Sequence, residues 1–103
     1  MGIPEPGLAC YLVEWYSPEA PLELTVDTLE HCAAAVSAEG SPVRLVIALA
    51  APTDEVVFGL FAAQSAHVVA RTCQLAGLPA QRLTAVDTRP AGAEFPIARG
   101  RGQ

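Results

Sequence analysis

The sequence predicts an α+β domain with the chain order βαββαβ. Three observations predict it. Two segments with helical apolar spacing alternate with four short runs rich in β-branched and aromatic residues; a Pro/Asp turn joins the two middle runs; and 103 residues leave room for one domain with one modest core.

Residues 1–8, with Pro and Gly in their first seven positions, read as a flexible lead-in, residues 9–88 as the domain, and residues 89–103 as a mobile tail or a clasp on a partner. Ala9 to Tyr16 (ACYLVEWY) is a first strand, bounded by Gly7 and by Ser17-Pro18. A helix follows from about Pro21 to Glu39, with Leu22, Val26, Leu29, Ala33 and Val36 on its apolar side and Glu23, Asp27, Glu30 and His31 opposite. Gly40-Ser41-Pro42 ends it. Val43 to Ala50 and Glu55 to Ala62, joined by Ala51-Pro52-Thr53-Asp54, form a hairpin. Ser65 fits an N-cap for a second helix, Ala66 to Ala76, with Gly77 at its C′ position and Pro79 beyond. Arg82 to Thr88 is the last strand.

This order is the ferredoxin-like one: a four-stranded antiparallel sheet with strand 1 between strands 3 and 4, and both helices on one face. The other face is expected to be polar, yet the hairpin strands are apolar throughout. Val43, Leu45, Ile47 and Leu49 are expected to point one way and Val46, Ala48 and Ala50 the other; Val56, Phe58 and Leu60 oppose Val57, Gly59 and Phe61. A second copy packed sheet on sheet covers such a face most simply, so the sequence predicts a homodimer of the dimeric α+β barrel kind.

Composition narrows the partners. The hydrophobic fraction of 51% and mean hydropathy of +0.34 are high for so short a chain. No apolar run is long enough to span a bilayer, and no basic segment precedes an apolar one at the N-terminus, which predicts a cytoplasmic protein that leaves membranes alone. Net charge is −5, with nine acids and a single base, Arg44, in residues 1–55. That balance, without Lys or an aromatic-interleaved basic patch, argues against nucleic acid. Cys10, Cys32 and Cys73 are odd in number and widely spaced, as reduced structural thiols would be.

From Tyr11 onward the chain resembles a family of short, mostly actinobacterial proteins of unknown function, some described as nickel-binding, with ferredoxin-like dimeric α+β barrels. The resemblance rests on Tyr11-Leu12-Val13-Glu14, Val43-Arg44, the acidic turn Asp54-Glu55, Ala63-Gln64-Ser65 and, most closely, Ala76-Gly77-Leu78-Pro79-Ala80-Gln81-Arg82-Leu83. It spans about residues 10–88 and implies the same fold, a homodimer and, as the one cofactor it suggests, nickel. His31 and His67 are the only histidines, and Thr72 stands near a position where metal-binding relatives carry His.

The topology decides which polar groups can meet. One rim of the sheet collects Glu14, Trp15, Tyr16, the 51–55 turn and Arg82; the other gathers Cys10, Arg44, His67 and Asp87. Glu14 lies inside an apolar strand, where a carboxylate must be paired or have its pKa raised. An ion pair with Arg82 is one use for it, and a general base or ligand anchor another, with Trp15 and Tyr16 as pocket walls. His67, near a helix N-terminus, is a packing or surface residue or a neutral acid–base group beside Arg44 and Asp87. Asp27 and His31, one turn apart, suit a solvated pair or a shared ion. No metal set of high specificity, phosphate loop or Ser-His-Asp arrangement appears.

Two functions follow as expectations. The first is a homodimeric protein binding a small apolar molecule or a metal ion, with Glu14, Trp15, Tyr16, Arg44 and Arg82 as ligand contacts. The alternative is a small cofactor-free enzyme, an isomerase, cyclase or monooxygenase-like protein, with Glu14 or His67 as base.

Overall fold

The computed structural model describes residues 7–89, so most of the expected lead-in and tail lies outside the described residues. The elements run β1 (Ala9–Tyr16), α1 (Leu22–Ala38), β2 (Val43–Ala51), a short 3-10 turn (Pro52–Asp54), β3 (Val56–Ala63), α2 (Ala66–Leu75) and β4 (Arg82–Val86). The four strands form one antiparallel sheet in the order β2-β3-β1-β4. This is the ferredoxin-like arrangement. No helix among the described residues is long and apolar enough to cross a membrane.

Both helices lie on one face of the sheet. The core joins Val13 and Trp15 of β1 with Val57, Phe61 and Ala63 of β3, and these meet Leu29, Ala33 and Val36 of α1 and Val69 and Cys73 of α2. In β1 and β3 those strand residues alternate with Leu12, Glu14, Phe58 and Leu60, which face away from the helices. Gly59 packs beneath Trp15, where a Cβ would stand 3.0 Å from the indole ring and crowd it. Glycine lets the ring lie flat on β3.

Local chemistry explains most boundaries. Gly77, at φ 74°, ends α2 in a Schellman motif: Leu78 N–H donates to Cys73 O at 2.9 Å and Gly77 N–H to Gln74 O at 3.0 Å. Ser65 caps α2 by accepting from the Val68 N–H. Ser37, near the end of α1, is tied to the first residue of β2, donating to Val43 O at 2.8 Å and accepting from Val43 N–H at 3.0 Å. Strand β4 stops at Val86 rather than Thr88, because Val86 pairs with Cys10 and β1 offers almost no strand beyond it. Strand β3 starts one residue later than expected, since Glu55 is left-handed at φ 55°.

One expectation is overturned. Leu45 pairs with Phe61 but Ile47 pairs with Leu60, so Val46 is an extra residue in a β-bulge. Strict alternation fails there: Val43 and Leu45 face the helices with Ala48 and Ala50, while Ile47 and Leu49 turn outward with Leu60 and Phe58. The correction enlarges the apolar surface on the helix-free face. Helix α1 also buries Thr25 in the stripe where Val26 was expected.

Candidate functional site

Alternation along β1 sends Glu14 and Tyr16 to the helix-free face and Trp15 to the opposite side. The register sets Glu14 directly across from Arg82 on β4 and Phe58 on β3. The Tyr16 hydroxyl donates to Glu14 Oε1 at 2.6 Å, and Arg82 Nε stands 3.7 Å from Glu14 Oε2. Glu14 is 16% exposed and Arg82 65%, so the ion pair contributes less than about 1 kcal/mol. The hydrogen bond to Glu14, more than burial or the carboxylate's charge, raises the Tyr16 phenol above its usual value. Tyr16 is therefore a proton donor at neutral pH, and it occupies one oxygen of the carboxylate.

The structure thus brings Glu14, Tyr16 and Arg82 together and separates the remaining candidates from them. Trp15 lines a cleft together with Tyr16, but that cleft does not include Glu14: the pleat sets the Trp15 indole on the helix side, where its Nε1–H donates to Leu78 O at 2.8 Å. Arg44 sits opposite Ala62 at the far end of edge strand β2, exposed. His67 lies exposed in the first turn of α2. Among the described residues no hydrogen bond or ion pair joins His67 to Arg44 or Asp87, and none joins Asp27 to His31. Nor do three or more His, Cys, Asp or Glu side chains converge among the described residues. The donor set does not fit nickel. Cys10, Cys32 and Cys73 are free thiols, and burial pushes Cys73 up to about 12, which keeps it inert.

Two clefts open at the same rim, on the helix side, divided by the loop from Ser17 to Ala20. That loop is pinned to the hairpin: Ser17 and Glu55 are both left-handed, at φ 52° and 55°, and Ser17 N–H donates to Glu55 O at 2.6 Å. Two left-handed residues without glycine in direct contact mark stored strain. The first cleft, about 360 Å³, lies between this pair and Leu22. The second, about 410 Å³, is walled by Trp15, Val57 and Leu78 and reaches Thr25 at the start of α1. Gln81 closes its edge, its side-chain oxygen accepting from Tyr16 N–H at 2.7 Å.

Sequence reasoning missed Thr25, Ser17 and Gln81 here, and placed Glu55 at this rim only as part of the 51–55 turn. Thr25 stands four residues before Leu29, a spacing that could have shown it facing the core, but a polar residue is invisible to a search for apolar stripes.

Among solved structures, the SCO4226 protein of Streptomyces coelicolor A3(2) matches with a TM-score of 0.63, covering 80% of this chain and 100% of that one at 20% identity. The likeness is one of fold. No family model and no curated protein matches the chain.

Proposed function

We propose that this chain is a homodimeric binding protein for a small apolar molecule, closed through its helix-free sheet face. One observation carries the reading: that face presents Leu12, Phe58 and Leu60 flanked by Ile47 and Leu49, the last two 50% and 54% exposed. Four strands about 4.8 Å apart and about 3.3 Å per residue make a face of roughly 500 Å² in plan, its polar residues included. A second copy suits it because Leu12, Phe58, Leu60, Ile47 and Leu49 form an apolar centre, with Thr84 on the edge strand beside Leu12, Glu14 paired toward one end and Arg44 at the other. A two-fold axis parallel to the sheet, running across the strands midway between the two packed faces, would bring each Arg44 toward the partner's acidic rim. The resemblance of residues 10–88 to dimeric α+β barrels supports the same assembly, and a reduced cytoplasmic setting agrees with three free thiols.

A small organic ligand is preferred to a metal ion, because the polar groups present are a carboxylate engaged by a phenol and isolated histidines. The enzyme alternative has no such observation behind it. Glu14 already accepts from Tyr16, and His67 has no partner to orient it among the described residues.

Leu60 lies at the centre of the face, paired with Leu12 and Ile47. Light scattering on eluted protein is expected to give twice the chain mass for the wild type and a single chain mass for a folded Leu60→Lys variant. Wild type and variant both at single chain mass would refute the proposal.

A further inference from the structure

Three threonines lie in the helices, and two are satisfied locally: Thr28 Oγ1 donates to Leu24 O and Thr72 Oγ1 to Val68 O, both at 2.9 Å. Thr25 differs. It is 5% exposed, yet its hydroxyl makes no hydrogen bond among the described residues; its backbone N–H donates to Pro21 O at 3.1 Å. A buried hydroxyl left unpaired is costly, and native proteins rarely keep one without a use.

The hydroxyl belongs to a residue lining the 410 Å³ cleft, within the usual size range of small-molecule pockets. Helix α1 begins near it with Pro21 at the N-cap position and no side-chain cap, but the residues of its first N–H groups, Leu22 to Leu24, are not among the cleft's lining. Trp15, Val57, Leu78 and Pro79 supply an apolar wall opposite. One unpaired hydroxyl beside an apolar wall suits a guest with a polar end and an apolar body. Charge decides its class. The lining contains Glu19 and no Arg or Lys, and Glu23 follows in the first turn of α1, so an anion is repelled although the helix terminus alone would favour one.

We infer that this cleft binds a small uncharged molecule whose oxygen accepts a hydrogen bond from Thr25 and whose apolar body rests against Trp15. The inference rests on the small-ligand reading above and names its site and ligand class.

Trp15 is the only tryptophan of the chain, so its indole N–H gives a single resonance in an ¹⁵N-labelled sample. Acetophenone, benzoate and ethylbenzene serve as probes of similar size that differ in charge and in hydrogen-bonding oxygen. Acetophenone is expected to shift the indole resonance saturably, binding about fivefold or more tightly than either of the others, as one hydrogen bond would give. Thr25→Val should reduce acetophenone to the affinity of ethylbenzene, and Thr25→Ser should keep the preference. Thr25→Val should melt no lower than the wild type, since its hydroxyl holds nothing in the unliganded chain. The inference is overturned if Thr25→Val binds acetophenone as well as the wild type does, or if no probe saturates. It is also overturned if the shifts fall on Leu12, Phe58 and Leu60 with the indole unmoved, a result that leaves the binding function standing and moves it to the sheet face.

Discussion

At the scale of the residue, Glu14 and Tyr16 show how a polar pair is kept inside an apolar strand. The carboxylate is satisfied by a neighbour two positions along the same face, at 2.6 Å, and by Arg82 across the ladder at 3.7 Å. Only the pair with Arg82 was legible in the sequence, since opposite charge at matching strand ends suggests it; the phenol contact depends on the rotamers of two adjacent same-face side chains, which no spacing rule supplies. Because Glu14 favours the protonated phenol, the Tyr16 pKa is raised in the folded state above its usual 10.0. The stabilisation that follows is fully present below pH 10 and is lost as pH rises through the raised folded value. An ultraviolet titration should therefore show the Tyr16 phenol ionising above its usual value. Glu14→Leu should bring that transition back toward 10.0; an unchanged transition would mean that Glu14 does not hold the phenol.

At the scale of the element, boundaries were legible wherever a residue type announced them. Gly77 before Pro79, Ser65 before Ala66 and the Pro52–Asp54 turn each carry a conformational or capping preference of their own. The bulge at Val46 carried no such sign. Val, Leu, Ile and Ala suit either face of a strand, so nothing in VRLVIALAA marks which residue is unpaired. Its consequence is large, because a one-residue slip exchanges faces for everything beyond it. The joint between α1 and β2 was equally hidden, being one serine that serves both the N–H and the carbonyl of Val43, itself 5% exposed. Ser37→Ala leaves both groups without that partner and should lower unfolding free energy by about 2 kcal/mol, read by urea denaturation with an unchanged slope. A loss within error of zero would show that water replaces the hydroxyl.

At the scale of the whole molecule, the chain has an apolar surplus that its own helices cover on one side only. α1 and α2 fill one face, and the three-dimensional arrangement concentrates Leu12, Phe58, Leu60, Ile47 and Leu49 on the other. The two-sided hydrophobicity of β2 and β3 foretold this, although the bulge alters which residues are involved. Burying several hundred square ångströms of such surface at about 25 cal/mol per Å² contributes several kcal/mol to association before its entropic costs. The 410 Å³ cleft lies mainly on the helix side of the sheet, lined by Trp15, Val57 and Thr25. Assembly through the helix-free face is the central claim. Sedimentation equilibrium of the full chain at micromolar concentration tests it most directly. The account predicts a species of about 21 kDa, twice the 10.7 kDa chain; a single species at the chain mass would contradict it.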